Sequence, residues 1–381
     1  MNFFAEELNK LKENDCFREI QNISHREDSF IFVNNKKMLN LSSNDYLGLS
    51  TRKDLEKEFL KKYENDKEFL FSAASARLLT GTSSVYKKLE NKLANIFQKD
   101  KCLIFNTGFQ CNLGVISALA QKNTLILSDK LNHASIIAGM KLSGAQFFRY
   151  KHLDYKNLEM LLKKHRSEYE RTLIISESVF SMDGDIADIA KLIELKKKYN
   201  AMLMIDEAHA FGVFGENICG VCEEQGLLKD ADVITATFGK SLASVGAFCV
   251  ANSTIIDYLI NKSAPFIFST ALAPVNVMWT YFLLNEKFEV VKNQQKKLQN
   301  LITQVNLYMN TNQRTQIIPF IIGDNDKTKM EAQALQDMGF YVLPIRPPTV
   351  PPNTSRLRIS LTADITFDEL RQLLDKLKQV K

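Results

Sequence analysis

Short apolar runs punctuate the middle of the chain, at 102–105, 124–128, 145–150, 172–176, 202–206, 233–237 and 247–251. Several are continuously apolar and β-branched, the pattern of strands buried on both faces of a sheet. Amphipathic stretches of helix length, such as 157–164 and 186–199, lie between most of them. Strand and helix in alternation predict crossover units, hence an α/β fold with a mostly parallel central sheet. In such sheets ligands bind outside the carboxyl ends of the strands. Chemistry is therefore expected immediately after each run.

Beyond about position 263 the pattern changes. It predicts a long helical region over 274–309, a strand at 316–322, a helix at 327–338 and a short strand at 340–343. A proline-rich turn at 344–352 then leads into a strand at 356–361. The last helix opens on Thr366-Phe-Asp-Glu369, the spacing of a capping box. This order predicts a separate, smaller α+β domain. The expected division is an N-terminal segment 1–45, a large domain 46–265 and a small C-terminal domain 266–381. There is no internal repeat and no low-complexity linker.

Composition narrows the class. Of 381 residues, 45% are apolar and 24% charged, and the net charge is +5, the make-up of an ordinary soluble globular protein. Lysine runs such as Lys196 to Lys198 fall inside helical patterns and read as solvated helix faces, not as a nucleic-acid surface. No apolar run is long enough to span a bilayer. The acidic opening of the chain predicts no secretory signal, so a cytoplasmic location is expected. The six scattered cysteines fit reduced thiols. Cys219-Gly-Val-Cys222 has redox or half-zinc spacing, but no second pair completes it, so no metal is expected.

The strand ends collect chemistry. After the first run comes Asn106-Thr-Gly108-Phe-Gln-Cys-Asn112, a glycine opening a helix and so a possible phosphate site. Later ends bring Ser128-Asp129 with Asn132-His133-Ala-Ser135, then Glu177-Ser178 with Ser181-Met-Asp183-Gly184. Asp206-Glu-Ala-His209 and Thr237-Phe-Gly239-Lys240-Ser241 follow. A lone histidine is usually a satisfied core residue. Two of only five at neighbouring strand ends favour a site. Two fragments mislead. Asp206-Glu-Ala-His209 spells a helicase box, and Gly239-Lys240-Ser241 spells the end of a P-loop. A P-loop needs glycine at position 234, which is Ile234. No G-x-G-x-x-G follows the first strand, which argues against a nicotinamide dehydrogenase. An aspartate and a lysine on successive strand ends suit pyridoxal phosphate. Its aldehyde needs an amine and its pyridine nitrogen an acidic partner.

At this point the sequence resembles the α-oxoamine synthases among the fold-type I pyridoxal-phosphate enzymes, over nearly its whole length. The likeness runs through Leu41-Ser-Ser-Asn44-Asp45-Tyr46-Leu-Gly48, Leu79-Thr-Gly81-Thr, Asn132-His133-Ala-Ser135 and Val179-Phe-Ser181-Met-Asp-Gly184. It continues through Asp206-Glu-Ala-His209, Thr237-Phe-Gly239-Lys240, Phe268-Ser269-Thr270, Ile345-Arg346-Pro-Pro-Thr-Val-Pro351 and Arg356-Leu-Arg358-Ile. Single motifs are soft, whereas the ordered set is specific.

The resemblance implies roles. Lys240 is expected to carry the cofactor as a Schiff base and to act as acid and base at the substrate α-carbon. Asp206 is expected at the pyridine nitrogen, His209 and Ser181 near the phenolic oxygen, and His133 stacked on the ring. Thr237 with the Gly108-Phe109 backbone would hold the phosphate. Ser269 and Thr270 would reach the phosphate of a partner subunit's cofactor, which implies a homodimer with shared sites. Arg358 would clamp the amino-acid carboxylate, and Arg18, Asn44 and Arg346 would be further substrate positions. Asn44 has a second reading, as the residue that holds the Asn44-Asp45 turn. The implied reaction joins an amino acid to an acyl thioester with loss of carbon dioxide, and the branch most resembled uses L-alanine and a pimeloyl thioester. The chain departs from the family at Ser72 to Ala76 and at Ser241 to Ala243, where relatives are glycine-rich, and at Ala210, where they carry glycine.

Overall fold

The computed structural model describes residues 2–380. The chain forms two compact units. The large unit comprises 52–180 and 185–295, and the small unit the segments up to 51, 181–184 and from 296 onward.

In the large unit a seven-stranded sheet has the order Lys101–Phe105, Ala247–Ala251, Val233–Thr237, Met202–Asp206, Arg171–Glu177, Thr124–Asp129, Gln146–Tyr150. The last five run parallel, as the alternating pattern predicts. Ala247–Ala251 departs from it and pairs antiparallel with both neighbours. The reason is connection length. Only 238–246 separate it from the preceding strand, too few for a crossover. Thr124–Asp129 is buried throughout. On one face, helices Gly108–Leu119 and Ala134–Ser143 pack Val115, Ile116, Ile136 and Met140 against Ile126, Leu173, Ile175 and Met204. Each such fully buried side chain contributes roughly 1.5–3 kcal/mol. Side chains start several helices. Asp154 accepts from the Asn157 amide and Asp188 from that of Lys191, satisfying first-turn N–H groups.

The small unit holds two sheets. Ile23–Glu27, Phe30–Val33 and Lys36–Asn40 form an antiparallel meander. Its tight turn is Asn34-Asn35, both left-handed at φ 49° and 61°, as hairpin turns require. Phe340–Tyr341 joins this meander in parallel. The second sheet has Ser355–Ser360 at its centre, antiparallel to Ile317–Gly323 and Pro344–Ile345. The capping box is present. Glu369 N donates to Thr366 Oγ1 at 3.3 Å, and Thr366 N donates to Glu369 Oε2 at 2.7 Å.

Contacts divide the chain elsewhere than at 45 and 265. The N-terminal meander clusters with the C-terminal residues, and 266–295 cluster with the large unit. The region 274–309 is two helices, Pro274–Asn285 and Phe288–Met309. All six cysteines are free thiols. Cys219 is buried and donates to the carbonyls of Ile96 and Asn217. No helix among the described residues is long and apolar enough to cross a membrane.

Candidate active site

Asp206 ends its strand at the carboxyl edge of the large sheet and is buried. Its Oδ2 accepts from Asn112 Nδ2 at 2.7 Å and its Oδ1 from the Ala208 amide at 2.9 Å. Asn112 is the junction of a network. Its Oδ1 accepts from Thr235 Oγ1 at 3.0 Å, and its Nδ2 also reaches Ser135 Oγ at 3.0 Å. Ser135 Oγ in turn lies 2.8 Å from His133 Nδ1. His133 is solvent-exposed as a residue, yet the protein packed against its ring lowers its pKa below the ordinary histidine value. One edge of the ring is tied down while solvent still reaches the residue.

Lys240 Nζ lies 2.7 Å from His209 Nε2, three residues beyond the end of Val233–Thr237. Glu177 stands opposite Asp206 in register and accepts from the His133 amide. Burial, then the charge of Asp206, push its carboxyl upward. Glu207 faces away from this group. It is buried and takes hydrogen bonds from the amides of Val221 and Cys222 and the Ser178 hydroxyl, so it fixes the segment that follows His209.

Thr107 caps the helix Gly108–Leu119 by accepting from the Gln110 amide. The Gly108 and Phe109 amides belong to the first turn, where no helix carbonyl is in reach, and such a terminus favours an anion. A β-carbon at Gly108 would meet only Thr237 within 4 Å, at 3.6 Å. Thr237 Oγ1 accepts from the Gly239 amide and donates to the Gly246 carbonyl. Ser269 and Thr270 are tied to a different group. Thr270 bridges to Ala76, and its carbonyl accepts from Asn106. Two loop alanines have left-handed backbones, Ala74 at φ 52° and Ala243 at φ 45°, each within a segment where the family resemblance leads one to expect glycine.

The small unit holds a guanidinium centre. Arg358 lies buried on Ser355–Ser360. Its Nε donates to the Ser181 carbonyl at 2.6 Å and Nη1 to Ser360 Oγ at 2.8 Å. Its Nη2 donates to Asn44 Oδ1 at 3.2 Å and to Tyr46 OH at 3.0 Å. All four partners are neutral. Arg356, two residues away on the same face, is ion-paired with Asp183. The Asn44 turn is held by Asp45, which accepts from the Leu49 and Ser50 amides, so Asn44 is left to serve Arg358. Arg18 and Arg346 form a separate group. Arg18 reaches Pro347 and Thr349, and Arg346 the carbonyls of Asp15 and Phe17. The structure thus gathers Asp206, His133, His209 and Lys240 in one unit and Ser181, Asn44 and Arg358 in the other. Asn112 and Tyr46 were not singled out from the sequence. The helix spacing of Asn112 from Gly108, one turn on, is the signal that finds it.

An aspartate, a histidine and a lysine at neighbouring strand ends of a mostly parallel sheet, beside a helix N-terminus, are the arrangement of the fold-type I transferases, enzymes that use pyridoxal phosphate. The family model for aminotransferase class I and II matches residues 36–377, and the chain belongs to that family. A Haemophilus influenzae protein provisionally named 8-amino-7-oxononanoate synthase is 45% identical over 380 residues, 98% of this chain and 99% of that protein. A Neisseria gonorrhoeae protein with the same provisional name is 46% identical over the same shares. Among solved structures, a serine palmitoyltransferase variant from S. paucimobilis, with bound pyridoxal phosphate and myriocin, has a TM-score of 0.88 and 27% identity, covering 99% of this chain and 96% of that one. An 8-amino-7-oxononanoate synthase from Francisella tularensis has a TM-score of 0.72 and 27% identity, covering 90% of this chain and 98% of that one.

Proposed function

We propose that this chain catalyses the reaction of 8-amino-7-oxononanoate synthase in biotin biosynthesis. It would join L-alanine to a pimeloyl thioester, carried on coenzyme A or an acyl carrier protein, with release of the thiol and carbon dioxide. The observation that carries the reading is the near full-length identity to proteins so named, 45–46%, against 27–29% for the serine palmitoyltransferase structures. The higher TM-scores of the latter speak for a fold shared among α-oxoamine synthases, and the second reading is another member of that group, such as a glycine C-acetyltransferase or 5-aminolevulinate synthase type.

The donor set fits pyridoxal phosphate. It offers one amine, one buried carboxylate with neutral donors, a tethered histidine ring and a helix terminus with room beside Gly108. When bound, that cofactor supplies an electrophilic carbon for the amino group and a ring that withdraws electrons from the α-carbon. Lys240 would hold it covalently. His209 Nε2, 2.7 Å from Lys240 Nζ, would orient the lysine and, with Ser181, lie near the cofactor's phenolic oxygen, while Lys240 would move the proton at the α-carbon. Asp206, fixed by Asn112 and the Ala208 amide, keeps a proton on the ring nitrogen. The Gly108 and Phe109 amides and Thr237 would bind the phosphate, and His133 would cover the ring face. Arg358 receives the amino-acid carboxylate, a match for its planar fork. Ser181 is assigned near the cofactor's phenolic oxygen, and Arg18 and Arg346 on the acyl side. Ser269 and Thr270 would serve the cofactor of a second subunit in a cytoplasmic homodimer.

The test is an assay of the pure holoenzyme with alanine, glycine and serine against acetyl, succinyl, palmitoyl and pimeloyl thioesters. Alanine with pimeloyl should give the highest kcat/KM. Discrimination against glycine rests on one methyl group and is worth about 1–3 kcal/mol, so some glycine turnover is expected. If glycine with succinyl or acetyl gives the highest value, the biotin assignment is wrong and the second reading stands.

A further inference from the structure

His152 follows the strand Gln146–Tyr150 and lies outside everything assigned above. Its Nδ1 is 2.9 Å from Asp129 Oδ1 and its Nε2 is 3.2 Å from Asp185 Oδ2. A neutral imidazole carries one N–H, so it can donate to only one of two carboxylates. Donation to both requires the imidazolium. Asp129 is fully buried and also accepts from the amides of Leu131 and Leu153, so one end of the clamp is rigid. The other end belongs to the segment 178–187, a narrow hairpin. Val179 bridges to Ile186, the Phe180 amide donates to the Asp185 carbonyl, and the Ala187 amide donates to that of Ser178. Phe180 meets the His152 ring edge-on, with centroids 4.4 Å apart. The imidazolium therefore touches both arms of the hairpin just below its tip.

That tip, 181–184, clusters with the small unit. There Ser181 gives its carbonyl to Arg358, Asp183 pairs with Arg356, and the Gly184 carbonyl accepts from Thr315 and Gln313. Gly184 is left-handed at φ 70°, and a β-carbon on it would lie 2.4 Å from both Gln313 Nε2 and the Ile317 carbonyl. The tip is closely packed, and Ser181 follows Phe180 of the hairpin base directly in the chain.

We propose that His152 is a positioning residue, which pins the base of the 178–187 hairpin so that the Ser181 carbonyl orients Arg358 toward the amino-acid carboxylate. The carboxylate part rests on the role proposed for Arg358. The charged groups facing the ring are Asp129 and Asp185, and the phenols of Tyr150 and Tyr155 stand in the field of Asp129. Burial alone would lower the histidine pKa, but the two carboxylates outweigh it and raise it to about 9, in keeping with an imidazolium at neutral pH.

The experiment compares wild-type, His152→Gln and Arg358→Lys holoenzymes. In His152→Gln, amide hydrogen exchange at Phe180 and Ala187, the two amides that close the hairpin base, should speed up. The amino-acid KM should rise by about 5- to 10-fold, a partial loss of one charge-assisted bond, with kcat and the thioester KM nearly unchanged. Unchanged exchange overturns the pinning. Faster exchange with an unchanged amino-acid KM, while Arg358→Lys raises it, overturns the transmission to Arg358. If Arg358→Lys leaves that KM unchanged, the carboxylate reading of Arg358 has failed, and the pinning is decided by exchange alone. Should His152→Gln not fold, Asp185→Asn removes the more exposed carboxylate, keeps the Asp129 pair and must show the same pattern.

Discussion

In the large unit Arg77 is paired with Glu90 through two nitrogens, and its guanidinium lies 4.0 Å from the Tyr86 ring centroid. In the small unit Arg356 is paired with Asp183. Both pairs are more than four-fifths buried on the arginine side, and both fasten loops. Asp206 and Arg358 are equally buried, but the hydrogen bonds described above bring them neutral partners. A buried charge without a counter-charge is costly, and it persists where a ligand supplies the opposite sign. The lesson of setting the two kinds side by side is that a completed ion pair marks a fastening. A buried charge among neutral donors is a site candidate only where a ligand could reach it, since Glu207, just as buried among neutral donors, fixes a loop. Periodicity along the strand does not separate Arg356 from Arg358, which share a face, and in the sequence only the family resemblance singles out Arg358.

The sharpest way to break this distinction is Asp206→Asn. A charge-assisted bond to the ring nitrogen is worth roughly 1.5–3 kcal/mol, so kcat should fall by about 10- to 100-fold and pyridoxal phosphate should dissociate more readily. Turnover and visible absorbance of the folded variant check it. Near-normal turnover would make Asp206 structural, like Glu207.

A smaller effect separates the two arginines. Arg358→Lys keeps the charge and loses the fork. The amino-acid KM should rise by about 10-fold, with melting temperature little changed. Arg356→Lys should weigh the other way, lowering melting temperature and raising that KM by less than Arg358→Lys does, because a lysine still offers Asp183 a cation. If both variants behave alike, the contrast between matched and unmatched guanidinium has no functional content.

The smallest effect is on stability against pH. The folded pKa of His152 is raised to about 9 from an ordinary 6.5. The stability it contributes is fully present below pH 6.5 and is lost as pH rises through about 9. Wild-type melting temperature should therefore decline across that window by more than it does in His152→Gln. Parallel declines would remove the imidazolium from the account.

Much of the large unit was readable. Strands buried on both faces leave apolar runs, and parallel strands put Asp206, His209 and Lys240 at one edge. The capping box of Thr366 and Glu369 was equally local. What escaped was whatever depends on distance along the chain. Lys36–Asn40 pairs with Phe340–Tyr341, so the N-terminal segment belongs with the C-terminal residues and the domain limits move. The reversal of Ala247–Ala251 lay in the length of a loop, not in the composition of the strand. Asn112 needs the helix phase as well as its sequence position to be seen beside Asp206. The excursion of 181–184 into the small unit has no local signal.

Ala74 and Ala243 have backbones that cost an alanine roughly 1 kcal/mol more than a glycine. The turn after Lys240 forms all the same, because the Ala243 amide bonds the Lys240 carbonyl and the Ser244 amide that of Phe238. The instruction for the bend is thus written in its neighbours and not in the residue that bends. A glycine-keyed pattern would pass over this chain, and a catalogue of such enzymes assembled by motif alone would lose members whose turns are held from outside.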